Sequence, residues 1–158
     1  MIDKKLLKTL TELLKDKKLI IATAESATGG LVANSLTNIS GSSDYFDRGL
    51  VTYSNKAKIE LLDVSKKTLD KYGAVSSEIA EEMAKGVRKK SRVDIGVSTT
   101  GIAGPTGGTK EKPVGTVYIG FSSNEKIISK KFQFKGSRLE NKENFCKAAL
   151  KMILGNIR

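Results

Sequence analysis

The chain has 158 residues, enough for one domain with its own hydrophobic core and cramped for two. Its residues are 39% hydrophobic and 28% charged, with a formal net charge of +11, a composition that excludes disordered and fibrous classes. It has no histidine and one cysteine, Cys146, which rules out Ser-His-Asp and Cys-His triads, imidazole-bound metals, internal disulfides and thiolate metal clusters. A hydrolase built from this chain must draw its base from Lys, Tyr, Asp or Glu.

In chain order, Leu6, Leu7, Leu10, Leu13 and Leu14 fall at helical spacing, so residues 3–16 are expected to form an amphipathic helix. Leu19 to Thr23 reads as a short buried strand. It runs into Ala24-Glu25-Ser26-Ala27-Thr28-Gly29-Gly30, and a second helix carries Leu31, Val32, Ser35 and Leu36. Residues 41–47 form a polar loop, Arg48 to Tyr53 a strand, and Ser54 caps a helix with Ala57, Ile59, Leu61 and Leu62. A lysine-rich helix over 65–71 stops at Gly73. Ser76 caps a further helix whose apolar face is Ile79, Ala80, Met83, Ala84 and Val87. Val93 to Thr100 is the next strand, and Val114 to Ser122 with Lys126 to Phe134 make an antiparallel hairpin. Phe145, Cys146, Ala149, Met152 and Ile153 line a C-terminal helix. Alternating strands and helices imply a single three-layer α/β/α domain, residues 1–158, around a mixed sheet.

Three segments concentrate small and hydroxyl residues. In the first, Ser26 and Thr28 lie on a tight turn between strand and helix, where backbone N–H groups could hold a phosphate or an oxyanion. The same residues could simply cap the helix while Gly29 and Gly30 allow close packing. In the second, Val51-Thr52-Tyr53-Ser54-Asn55-Lys56, Tyr53 and Lys56 lie three residues apart across a strand-to-helix boundary and could share a cleft. A lysine becomes a base only if burial or a cationic neighbour lowers its pKa, and without histidine a Ser-Lys or Ser-Tyr-Lys arrangement is the sensible way to activate a hydroxyl. Otherwise Lys56 is a surface lysine and Tyr53 a packed ring. The third, Thr99 to Thr109 with Lys112-Pro113-Val114-Gly115, is a glycine-rich loop after a strand. It matches neither P-loop nor Gly-x-Gly-x-x-Gly spacing, so it is either an anion-cradling loop or a plain turn.

Taken together, Ala24–Gly30, Val51–Lys56, Gly73–Ser76, Thr100–Pro105 and Glu111–Thr116 resemble, in order, the motifs of the CinA C-terminal domain family, whose characterised members are nicotinamide-nucleotide amidohydrolases. The resemblance covers nearly the whole chain. It implies hydrolysis of nicotinamide mononucleotide (NMN), a small-molecule substrate, to nicotinate mononucleotide and ammonia in pyridine nucleotide salvage, with no metal or organic cofactor. It also implies Ser26 as nucleophile, Lys56 and Tyr53 as the groups that activate it, Thr100 as a pocket residue, and a homodimer. Thr28, Gly29, Gly30 and Gly101 are then expected to shape the oxyanion hole and pocket, with Gly104 and Arg138 at the phosphate. The sequence departs from the family at Ala27, commonly Cys, and at Gly136-Ser137-Arg138 with Lys142, where Gly-Asp-Arg and a second Arg are common. Longer members carry an N-terminal pyrophosphatase domain for which 158 residues leave no room, so that activity is not expected. The alternative reading is a non-catalytic nucleotide-binding or competence-related accessory module.

The positive charge is scattered in lysine pairs, and aromatics are only 6% with no tryptophan. No platform of interleaved aromatic and basic residues appears, which argues against nucleic acid as the partner. Asp3, Lys4 and Lys5 occupy the place where an export signal needs apolar residues, and the longest apolar runs are too short to span a bilayer. The expected location is the cytoplasm, away from membranes.

Overall fold

A computed structural model describes residues 2–158. Helix α1, Lys4–Asp16, starts where Asp3 accepts a hydrogen bond from Lys5 N and buries Leu7, Leu10 and Leu14. Strand β1, Ile21–Glu25, is buried at all five positions because strands flank it on both sides. After α2, Leu31–Thr37, and a 3-10 turn at Ser42–Asp44 comes β2, Phe46–Val51. Helices α3, Asn55–Leu62, α4, Lys66–Tyr72, and α5, Ser77–Ser91, follow; Ser54, Ser65 and Ser76 each cap one with a side-chain oxygen. Then come β3, Ile95–Gly101, β4, Thr116–Ser122, β5, Ile127–Gln133, and α6, Arg138–Ile157.

The strand order is β2-β1-β3-β4-β5. The first three strands are parallel, and β4 and β5 run antiparallel to β3 and to each other. One core cluster joins α1, α2 and α6 to one face of the sheet through Leu10, Leu36, Phe145 and Ile153. The other sets Ala22 and Ala24 against Leu62, Ile79, Met83 and Val87 of α3 and α5. The three-layer α/β/α sandwich around a mixed sheet is thus the expected architecture. Cys146 is buried in the first cluster, and burial pushes its thiol up to about 12, so it is a packing residue.

Two of the boundaries that differ from the sequence reading bear on the site. β1 continues to Glu25 rather than ending at Thr23, pairing Glu25 with Val51 on one side and Thr99 on the other. β2 ends at Val51, short of Tyr53. Thr52 N still donates to Glu25 O at 2.8 Å, and the chain then turns into the Ser54 cap of α3. The carboxyl ends of β1, β2 and β3 therefore lie side by side, the usual position for a site in an open parallel sheet.

Candidate active site

Ser26 is the first residue beyond β1. Its N–H donates to Thr99 O at 3.0 Å, which ties it to the end of β3. Its hydroxyl lies 3.4 Å from Tyr53 O and 3.2 Å from the Nζ of Lys58. Lys58 is 1% exposed, and its ammonium also donates to Thr52 O at 3.0 Å and Tyr53 O at 3.1 Å. Burial alone brings this lysine down from 10.5 to about 8. A neutral lysine amine keeps two N–H bonds and one lone pair. With the two carbonyls taking the N–H bonds, the lone pair is left for the Ser26 proton.

This geometry corrects the choice of lysine. Lys56 lies on the outer face of α3 with its side chain 82% exposed, paired with Glu60 at 3.7 Å. Residues two apart on a helix project about 200° apart, so Lys56 and Lys58 cannot both face the cleft. The side that also buries Leu62, one turn after Lys58, is the inward one. The sequence carried this signal, because Ser54 as cap fixes the phase of α3. Tyr53 is also placed differently from the expectation: its carbonyl, not its hydroxyl, meets Ser26. The ring is 62% exposed, and its hydroxyl accepts from Arg138 at 3.3 Å.

The cleft has a volume of about 330 Å³, and its lining includes Ser26, Ala27, Tyr53, Lys58, Thr100, Gly101, Gly104 and Arg138. Thr100 is buried and donates its hydroxyl to Ala74 O at 2.7 Å, drawing the loop before α5 against the cleft wall. Gly101 lies opposite Val117 in the ladder, where a Cβ would meet Thr116 O at 2.6 Å. Arg138, the first residue of α6, donates to Gly104 O at 2.7 Å and so ties the helix to the glycine-rich loop.

Gly104 has φ +91°, and a Cβ there would stand 2.4 Å from Val114 Cγ1. Gly104→Ala is expected to cost roughly 1–3 kcal/mol, seen as a fall of about 3–10 °C in Tm by calorimetry. An unchanged Tm would show that the loop yields without strain.

Thr28, Gly29 and Gly30 are not part of this cleft. They border a separate groove with Leu139 and Lys142. The glycine amides are occupied: Gly29 N bonds Ser26 O, and Gly30 N bonds the carboxylate of Glu25. Glu25 is the residue the sequence reading passed over. Fully buried, it accepts from Gly30 N and Val32 N at 3.0 Å, from Ala33 N at 2.7 Å, and from the Thr28 hydroxyl at 2.5 Å. An ionised carboxylate only accepts, so Thr28 must receive its own 2.7 Å bond from the Thr99 hydroxyl. The start of α2 is therefore filled from within, and an oxyanion hole at Gly29 and Gly30 is excluded. Among the described residues the Ala27 amide, next to the serine, takes no backbone acceptor. Also among the described residues, no group of three or more His, Cys, Asp or Glu is placed to hold a metal, and no helix is long and apolar enough to cross a membrane.

Residues 3–157 match the family model described as the CinA C-terminal domain. A CinA-like protein of Chloroherpeton thalassium is 57% identical over 146 residues, covering 90% of this chain and 35% of the relative. The chain thus spans about a third of the length of that curated relative. Among solved structures, a competence/damage inducible protein, CihA, from Agrobacterium tumefaciens superposes with TM-score 0.95 at 36% identity, over 100% of this chain and 99% of that one. A CinA superfamily protein from Klebsiella pneumoniae gives TM-score 0.93 at 29% identity, over 97% and 96%.

Proposed function

The chain belongs to the CinA C-terminal domain family, and from that membership and the cleft chemistry we propose that it is a nicotinamide-nucleotide amidohydrolase acting on NMN. The observation that carries the reading is the buried Lys58 Nζ seated 3.2 Å from Ser26 Oγ, with its other hydrogens on two main-chain carbonyls. That is a serine activated without histidine.

In the proposed reaction, neutral Lys58 takes the Ser26 proton as Oγ attacks the carboxamide carbon. The Ala27 amide, following the nucleophile, is suited to the developing oxyanion. Collapse of the intermediate breaks the C–N bond, Lys58 returns the proton to the leaving nitrogen, and ammonia departs from an acyl-serine. Water, deprotonated by the same lysine, then attacks the acyl carbon and releases nicotinate mononucleotide and Ser26. Arg138 and the Gly104–Gly107 rim supply a guanidinium and backbone groups for the substrate phosphate, and Tyr53 holds Arg138 in that position. Two copies associate as a homodimer in this reading.

The test is release of ammonia and nicotinate mononucleotide from NMN by the purified protein. A folded protein that releases neither overturns the assignment. The rate is expected to be the same with and without EDTA, because every step runs on side chains and backbone; a loss with chelator that added metal restores would replace the lysine-base mechanism with a metal-assisted one.

A further inference from the structure

We propose that the free edge of β5, together with the groove between β5 and α6, is a docking site for an extended acidic segment of a partner protein, which adds to the sheet as a sixth strand. Strand β5 ends the sheet. Main-chain bonds from Ser123 N to Lys126 O and from Phe134 N to Gly115 O set the alternation along the β4–β5 ladder. Ile128, Lys130 and Phe132 therefore bond inward to β4, and the main-chain groups of Ile127, Ser129, Lys131 and Gln133 point out of the sheet. Those are the groups an added strand pairs with.

Beside this edge the helical layer stops short. A groove of about 650 Å³ opens between β5 and α6, floored by Ile128, Phe132 and Met152 and rimmed by Lys130, Lys147 and Lys151. The other face of β5 is occupied, since Ser129 bonds Glu81 and Ser77 of α5. An added strand thus sends alternate side chains into the groove. No carboxylate lines it, and none of the three lysines has an ion-pair partner among the described residues. Lys147 and Lys151 stand one helical turn apart, about 6 Å along α6, close to the roughly 6.7 Å repeat of same-side residues on a strand. Two glutamates or aspartates at alternate positions match that spacing.

The same features reject other occupants. A second copy paired antiparallel about Lys130 or Lys131 brings that lysine against its own equivalent, and lysines on an edge strand are a device against self-pairing. A bilayer needs a protruding apolar surface, whereas Ile128 and Phe132 lie half-buried in a concavity. For an acidic strand the lysine rim turns from repulsion into attraction.

The experiment titrates isotopically labelled protein with a seven-residue peptide alternating valine and glutamate, beside one alternating valine and lysine. The expected result is saturable amide shifts at Ile127, Ser129, Lys131 and Gln133 with the glutamate peptide only. Affinity should fall at least tenfold from 50 to 200 mM salt, and again in Lys147→Glu/Lys151→Glu with unchanged Tm. The proposal is overturned if β5 does not respond at millimolar peptide, if both peptides act alike, or if the protein self-associates through β5. It is likewise overturned if the β5 amides shift on phosphatidylserine vesicles and not on the peptide. None of these readouts depends on amidohydrolase turnover.

Discussion

If the chain turns over NMN as proposed, Lys58→Ala and Ser26→Ala are each expected to lower kcat/KM by about 10²–10⁴-fold, and Lys56→Ala to leave it within twofold. The contrast follows from placement: Lys58 Nζ touches Ser26 Oγ, whereas Lys56 reaches solvent and Glu60. Equal losses from the two lysine variants, or none from Lys58→Ala in a folded protein, would remove Lys58 as base. In the wild type, kcat/KM should climb with pH and level off above about 8, where the buried amine becomes neutral.

The same lysine makes a stability prediction of definite sign. Its folded value of about 8 lies below the usual 10.5, so between these two pH values the unfolded chain binds the extra proton. Stability therefore rises as pH climbs through that window, by an amount on the order of 3 kcal/mol. Below about pH 8 both states are protonated, and the cost of the buried charge is fully present. Urea denaturation at pH 7.5 and 10 should register the gain in wild type and lose it in Lys58→Met. A Lys58→Met protein with the same pH slope would assign the effect to other groups.

Glu25→Ala is expected to destabilise the fold by about 3–5 kcal/mol, a large fraction of a typical 5–15 kcal/mol. The substitution strands the Gly30, Val32 and Ala33 amides and the Thr28 hydroxyl without their shared acceptor. Glu25→Gln keeps one acceptor oxygen but turns an NH₂ group toward donors, so it should fall between wild type and Glu25→Ala in urea midpoint. Because Ser26 follows Glu25 directly, the Glu25→Gln protein should also lose turnover with little change in KM. A wild-type urea midpoint for Glu25→Ala would mean that the carboxylate contributes nothing net to the fold.

Periodicity and caps made the layers legible. Ser54 and Ser76 announced two helix starts, and the leucine spacing of α1 left one face to bury. The site was legible in its segments, not in its contacts. Ser26 stood out on its turn, and Arg138 and Gly104 were expected together, yet their mutual hydrogen bond joins residues 34 apart in sequence. Proximity to Tyr53 along the chain points to Lys56, whereas the helical phase set by the Ser54 cap turns Lys58 inward. Glu25 carried a signal that was passed over: a carboxylate at the end of an otherwise small and apolar run, Ile21-Ala22-Thr23-Ala24, must find donors or not be buried. Tyr53 misled because the contribution it makes to Ser26 is main-chain, which no side-chain pattern encodes.

That main-chain contribution sets how such chemistry can be moved. Two of the three partners of Lys58 are carbonyls at the corner after β2, where substitution alters side chains but not the acceptors themselves. Selection can adjust this base through burial and corner geometry, with no third side chain available to tune. Transplanting the reactive pair into another sheet would mean copying the bend from β2 into α3 beside the end of β1, since grafting a serine and a lysine at matching positions would leave the amine without its two fixed acceptors.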